Sequence, residues 1–179
     1  MKPYRVEYVQ LAGWEKKIAG LWIAENEDWL LLHYIPCDYE LDGYILLSKQ
    51  HISSRKHDKS AKQVEQVLKL KGVSAIVPPA FAFDDTLGLL RWTEKEYGVL
   101  EFMYEEENTF LGWLSEADTV HFWIDSLEPT GTMDARKPDE QPFVLHEIQV
   151  IRFASDYAHS LKLLWQHKQR RKLLKPSDN

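Results

Sequence analysis

The chain of 179 residues contains one cysteine, Cys37. A single cysteine cannot form a disulfide within the chain, and it cannot supply a zinc site built from several thiolates. The first seven residues, Met1 to Glu7, lack the apolar core of a secretory signal peptide. No apolar run approaches the ~20 residues that a membrane-spanning helix needs. These absences predict a cytoplasmic protein with no membrane partner.

Signatures of catalysis and of cofactor binding are also missing. The eight glycines lie too far apart for the Gly-rich loop of a dinucleotide site or a P-loop. His146-Glu147 begins like a zinc-protease motif, but Val150 stands where the second histidine is needed. Cys37 and His33 could act as nucleophile and base, yet their spacing implies no contact. The sequence therefore predicts no catalytic residue, no cofactor and no metal ligand, and we expect a protein that is not an enzyme.

Positive charge is scarce in the second half of the chain. Residues 73–165 hold 6 Lys and Arg against 17 Asp and Glu, residues 1–72 hold 11 against 10, and residues 166–179 hold 5 against 1. Acidic surface disfavours nucleic acid, because that binding depends on neutralising phosphates. One basic patch stands out, formed by Lys49, Arg55, Lys56, His57, Lys59 and Lys62. It is a candidate site for an anionic partner, and ordinary surface variation or a charge match between the two halves is the alternative.

The strongest structural pattern is the nearly continuous apolar run from Trp29 to Ile35, which predicts a strand buried on both sides. Pro36 ends it, because proline cannot donate to a strand ladder. A polar turn at residues 25–28 joins this strand to another at residues 18–24. Further strands are predicted at residues 4–11, 44–47, 99–104, 109–114, 120–127 and 143–153.

Three helices are predicted from their start and stop signals. The first begins at Ser60 and ends at Gly72, the second follows Asp84-Asp85 and ends at Gly98, and the third begins near Ser155-Asp156. Residues 73–83 are predicted to be an extended connector, because Pro78-Pro79 forbids helix there. We expect the aromatic residues Trp22, Trp29, Trp113, Trp123 and Phe153 in the core, and Trp14 and Trp92 as candidate exposed anchors.

Residues 20–35 align with residues 112–127 at an offset of 92 positions. The glycine, the predicted turn and the predicted strand of one segment all fall on those of the other. Ile52 aligns with Ile148, and each is followed by a helical pattern. This repeat predicts an α+β fold, mainly β, of two small SH3/Sm-like barrels, each followed by a helix. The expected domains are residues 1–72 for the first barrel with its helix, 73–97 for a connector and helix, and 98–179 for the second barrel with the C-terminal helix.

The run from Gly20 to His33, with Asp42-Gly43-Tyr44, resembles a family of uncharacterised bacterial proteins that share an Asp-Trp-Leu-Leu-Leu-His segment followed by Asp-Gly-Tyr. Similarity extends over about residues 15–165, through Phe110-Leu111-Gly112, the strand from Ile148 to Phe153 and the helix from Tyr157 to Leu161. The resemblance implies tandem Sm-like or SH3-like barrels and brings no activity with it.

Three polar residues of the first half, Asp28, His33 and Asp42, have no counterpart in the second half. They form a candidate polar site, although turn and backbone hydrogen bonds would account for most of them. The predicted function is a non-catalytic cytoplasmic binding or adaptor protein that acts through protein contacts. The alternative is an RNA-binding Sm-like protein that uses the basic patch, by an analogy of fold alone.

Overall fold

The computed structural model describes residues 4–174. Its strands are β1 (Val6–Leu11), β2 (Ile18–Glu25), β3 (Trp29–Ile35), β4 (Tyr44–Ser48), β5 (Ile52–Lys56), β6 (Leu100–Glu105), β7 (Asn108–Ala117), β8 (His121–Leu127), β9 (Met133–Asp134), β10 (Phe143–Val144) and β11 (Val150–Phe153). Its helices are α1 (Lys59–Leu70), α2 (Thr86–Tyr97) and α3 (Asp156–Leu173). Two 3₁₀ turns, Lys49–His51 and Leu145–Glu147, follow β4 and β10.

All eleven strands belong to one open antiparallel sheet with the order β10–β8–β7–β6–β11–β4–β3–β2–β1–β5, and β9 pairs with β8. The prediction of two SH3/Sm-like barrels, each followed by a helix, is therefore wrong. The reason is the pairing of β11, which lies between β4 and β6 and joins the strands of the two halves edge to edge. The coarser prediction of a mainly β chain with helices is confirmed. The domain boundaries at residues 72 and 97 stay predictions.

The central strands are buried on both faces of the sheet. On β3, Leu30 and Leu32 pack into a cluster with Val9 and Leu47. Leu31, between them, points to the opposite face and packs with the cluster around Phe102 and Phe122. This double burial explains why the run from Trp29 to Ile35 is nearly continuously apolar rather than alternating. The predicted strand is confirmed with the same bounds.

Helices α1 and α3 pack against different halves of the sheet. Helix α1 packs Ala61, Val64 and Leu68 against β1 and β2, and α3 packs Ala158 and Leu161 against the second half. The start of α1 differs from the prediction, since Asp58 rather than Ser60 is the N-cap and accepts a hydrogen bond from the Ala61 amide. The predicted end of α2 at Gly98 is confirmed by a left-handed C-cap with φ of 78°.

The sequence predicts one strand over residues 143–153, and the structure divides this segment into two strands. Phe143 pairs with Phe122 on β8, the chain then makes a 3₁₀ turn, and Ile151 pairs with Phe102 on β6 and with Leu46 on β4. The apolar spacing is compatible with one strand or two, because the turn at Leu145–Glu147 buries only its first residue. The segment forms two strands because its two ends pair with different strands that lie far away in the chain.

The hairpins β2–β3 and β7–β8 have matching registers at an offset of 92 residues. Gly20 lies opposite Tyr34, and Gly112 lies opposite Ser126. Each hairpin shifts register at the same place, between Trp22 and Ala24 and between Leu114 and Glu116. A Cβ on Gly20 would lie 2.6 Å from the Cβ of Leu32, so a side chain at this position would disturb the pairing of β2 with β3.

Candidate functional site

A cleft opens where the β2–β3 turn and the β7–β8 turn approach the first turn of α2. It consists of two adjoining depressions of about 680 Å³ and 460 Å³. The two depressions share four lining residues, Asp85, Thr86, Leu145 and His146. Clefts of this size are the usual place for a bound ligand or for a segment of a partner.

Backbone hydrogen bonds hold the walls of the cleft. The Asp118 carboxylate accepts bonds of 2.7 Å from the amides of Val120 and His121, which fixes the β7–β8 turn. The amide of Leu145 donates to the carbonyl of Val120 over 2.9 Å, so the second 3₁₀ turn is fastened to this hairpin. On the other wall, the amide of Lys49 donates in the same way to the carbonyl of Asp28 over 2.7 Å. Main-chain amides thus set the shape, with backbone carbonyls and the Asp118 carboxylate as their acceptors.

Apolar side chains line the centre of the cleft. Trp29, Leu145 and Ile148 are buried beneath it, and Leu87 from α2 lies half-buried beside them. Val120 stands in the wall with 46% of its surface exposed. An exposed apolar side chain in a concave surface is typical of a place where a partner side chain packs.

Negative charge predominates at the rim. Glu27, Asp28, Asp85 and Asp118 line the cleft. Hydrogen bonds from the backbone amides of His121 and Val120 lower the pKa of Asp118, so its carboxylate stays charged at neutral pH. Two cations also line the cleft. Lys49 is engaged, because its ammonium donates to the Asn26 carbonyl over 2.7 Å and lies 3.5 Å from Glu25. Arg91 on α2 is exposed and makes no ion pair with a described residue, so four carboxylates face one free cation among the residues the structure describes. The cleft is therefore apolar at its centre and acidic at its edge.

The three residues of the candidate polar site lie at different places. Asp28 is exposed on the rim of the cleft. His33 lies five residues further along β3, about 16 Å away at strand spacing, and its ring stacks on Tyr44 at 4.7 Å. Burial lowers the pKa of His33, and its Nδ1 has no hydrogen-bond partner within residues 4–174.

Asp42 occupies a different environment, at the junction between β4 and β11. Its carboxylate lies 3.2 Å from the Arg152 guanidinium and accepts a 2.7 Å hydrogen bond from the Asp156 amide at the start of α3. Asp42 thus holds the loop before β4 to the strand and helix of the second half. Of the three predicted residues, Asp28 alone lines the cleft.

The basic patch is partly neutralised by its own neighbours. Arg55 donates to Glu7 over 2.6 Å and to Glu25 over 2.7 Å. The ring of His57 bonds to the Val6 carbonyl over 2.9 Å. Three lysines of the patch are exposed and make no ion pair with other described residues, namely Lys56, Lys59 and Lys62. The free positive charge is smaller than the sequence suggests.

Sequence reasoning missed the buried ionic cluster around Glu101. The carboxylate of Glu101 is 1% exposed, lies 3.1 Å from the Arg152 guanidinium and accepts a 2.6 Å hydrogen bond from the Ser155 hydroxyl. A cavity of about 280 Å³ borders this cluster. The signal was present in the strand Leu-Glu-Phe-Met, where a charged residue interrupts a run that is otherwise apolar.

Replacing Glu101 by glutamine is expected to change how stability depends on pH. Burial raises the pKa of Glu101, although Arg152 and Ser155 oppose the shift. A carboxyl with a raised pKa binds its proton more tightly in the folded state, so its contribution to stability falls as the pH rises from the unfolded pKa through the folded one. As the pH rises through this interval, the wild type should therefore lose stability relative to Glu101→Gln. Urea unfolding of both proteins at several pH values measures the change. A difference that stays constant with pH would contradict the raised pKa.

The remaining chemical candidates lie apart from the cleft. Cys37 is exposed on the loop after β3, and the charge of Asp38 raises the pKa of its thiol, which disfavours the thiolate. Trp14 and Trp92 are half-buried, and their indole nitrogens donate to the Gln149 side chain and to the Ala80 carbonyl. The part of the chain that the structure describes contains no group of three His, Cys, Asp or Glu side chains placed to hold a metal ion.

No described helix is long and apolar enough to cross a membrane. Comparison with known proteins gave no match among family models, curated proteins or solved structures. The resemblance to the bacterial family with the Asp-Trp-Leu-Leu-Leu-His segment therefore stays a prediction.

Proposed function

We propose that the protein is a non-catalytic binding protein that acts through protein contacts, with the cleft beside α2 as its binding site. The observation that carries this proposal is the apolar floor of the cleft, with the exposed Val120 in its wall, inside a rim that holds four carboxylates. Surfaces that are apolar at the centre and polar at the edge are the common arrangement of protein interfaces.

The chemistry of the cleft indicates the kind of segment that fits. Its partner would place an aliphatic or aromatic side chain against Val120 and Leu87 and basic side chains beside Asp28 and Asp118. The rigid hairpins on either side favour a short segment that enters a preformed groove, because their turns are held by backbone hydrogen bonds. A peptide with interspersed Lys or Arg and large apolar residues meets these requirements.

Replacing Val120 by arginine is expected to abolish this binding. A charged side chain would fill the apolar centre while the backbone bonds of Val120 remain. The probe is a random peptide library displayed on phage and selected on the wild-type protein. We expect enriched peptides to carry basic and apolar residues, and their affinity for Val120→Arg to fall by at least about tenfold, measured by fluorescence anisotropy.

Met133→Arg is the matched control. Met133 and Val120 are both 46% exposed, and Met133 does not line the cleft. Peptides that lose affinity equally for both variants would place the binding elsewhere. A selection that enriches no peptide above background would overturn the proposal.

RNA binding through the basic patch is the second candidate, supported by the exposed lysines Lys56, Lys59 and Lys62. It is the less favoured of the two, because Arg55 and Lys49 are held by acidic neighbours. If the protein-binding proposal is correct, a fluorescent oligonucleotide should bind the protein only weakly, even at low salt. Tight binding with a steep salt dependence would favour RNA instead.

A further inference from the structure

The outer edge of β5 is open. This strand ends the sheet and pairs only with β1, on its inner side, within residues 4–174. Ser53 and Lys56 are exposed along it. An unpaired edge of this kind presents backbone donors and acceptors that can receive another strand.

In the second half, β11 holds the position that β5 holds in the first. On β5, Lys56 lies opposite Tyr8 of β1, and Arg55 lies opposite Val9. On β11, Arg152 lies opposite Glu101 of β6, and Ile151 lies opposite Phe102. Each strand follows a 3₁₀ turn and leads to a helix whose N-cap side chain, Asp58 or Ser155, accepts from an amide of the first turn. The two strands are therefore equivalent, with Lys56 at the position of Arg152.

The outer edge of β11 is occupied by β4. The four residues from Val150 to Phe153 pair with the four from Leu47 back to Tyr44. Asp42, two residues before β4, adds two polar contacts, one to Arg152 and one to the amide of Asp156 at the start of α3. The junction thus combines a backbone ladder with one carboxylate that reaches a cation and a helix N-terminus.

The β5 edge offers similar groups, and within residues 4–174 no strand pairs with its outer side. Lys56 stands where Arg152 stands. The first residue of α1, Lys59, follows Lys56 by three positions, and the first residue of α3, Asp156, follows Arg152 by four. Lys56 is also freer than Arg152, because its neighbour on β1 is Tyr8 rather than a glutamate. Asp58 adds one negative charge at this helix start, and the three exposed lysines Lys56, Lys59 and Lys62 outnumber it.

We propose that β5 docks an extended segment of a partner protein in which an acidic residue precedes an apolar β-strand by two positions, as Asp42 precedes Tyr44 in this chain. The segment adds a strand antiparallel to β5, and its carboxylate contacts Lys56 and the start of α1. This surface is separate from the cleft, so the protein can hold two partner segments at once.

A second copy of the chain that docked through its β10 is the less suitable occupant. In a copy, the strand equivalent to β4 is β10. The hydroxyl of Tyr104 accepts from the amide of Val144 over 2.5 Å and donates to its carbonyl over 2.9 Å. The equivalent amide on β4, that of Ser48, donates instead to the carbonyl of Gln149 beside β11. Tyr104 therefore takes the hydrogen bonds that β10 would need for pairing with β5.

The experiment uses the chain's own β4 as the probe. A fluorescent peptide with the sequence of residues 41–49, which contains Asp42 and β4, is titrated into the full-length protein. We expect saturable binding that weakens about tenfold in the Lys56→Glu protein and in the peptide with Asp42→Lys. Lys95→Glu is the control, because Lys95 is an exposed lysine on α2. Circular dichroism checks that each variant is folded.

Amide hydrogen exchange locates the bound peptide. The amides of residues 52–56 that face outward should gain protection, which charge attraction alone would not produce. Failure to bind at millimolar peptide, or protection elsewhere than β5, overturns the proposal. Protection of β5 in the protein alone, with a dimer on sizing, would assign the edge to a second copy. Protection by an oligonucleotide with no effect of the peptide would assign it to RNA.

Discussion

Replacement of Gly43 by alanine is expected to lower the free energy of unfolding by about 2–5 kcal/mol, the sum of a left-handed backbone cost and an overpacking cost. Gly43 has φ of 60°, and a Cβ there would lie 2.5 Å from the carbonyl oxygens of both Phe153 and Ala154. These atoms belong to the backbone at the end of β11, so they cannot rotate away. Urea unfolding followed by tryptophan fluorescence measures the loss.

Gly72→Ala separates the two costs. Gly72 has a similar φ of 72°, but nothing lies within 4 Å of a Cβ built on it. Its replacement should therefore cost only the conformational part, about 1–2 kcal/mol. Equal losses in the two variants would show that the close approach of Gly43 to β11 is not what requires glycine.

Arg152→Ala is expected to lower the free energy of unfolding by about 3–5 kcal/mol, because it strands a buried charge. The guanidinium lies 3.1 Å from Glu101, which is 1% exposed, and 3.2 Å from Asp42. It also packs over the ring of Tyr34 at 4.9 Å. Its loss removes the counter-charge of Glu101 and the link between β11 and the loop before β4.

Two companion variants test this explanation. Arg91→Ala should change stability by less than about 0.5 kcal/mol, because Arg91 is exposed. Arg152→Met combined with Glu101→Leu should regain most of the stability, since it removes the buried carboxylate together with its partner. A double variant as unstable as Arg152→Ala would mean that packing, and not the stranded charge, is responsible.

Local patterns predicted the secondary structure well where the signal lies within a few residues. The bounds of β3, the end of α2 at Gly98 and the N-cap of α3 at Ser155 follow from apolar runs, a left-handed glycine and a capping hydroxyl. The prediction failed at residues 143–153, because neither the turn nor the two strand partners have a local signature.

For the candidate sites too, the sequence identified individual residues but not the distant residues that they meet in the fold. Asp28, singled out in the sequence, lines the cleft, but the opposite wall comes from α2 and from Leu145 and His146, more than fifty residues away in the chain. The basic patch was identified from its composition. Its partial neutralisation by Glu7 and Glu25 was not, because these acids lie on β1 and β2 and meet Arg55 only in the folded sheet.

By itself, the sequence determined a β-rich chain with three helices, the bounds of its most apolar strand and the absence of familiar catalytic motifs. Tertiary structure alone decided that β11 lies between β4 and β6, and therefore that the two halves share one open sheet. The physical reason is that strands pair with edges that come from distant parts of the chain, and that ion pairs between distant residues stabilise those pairings. Asp42 and Arg152 meet across 110 residues, and no local pattern records that contact.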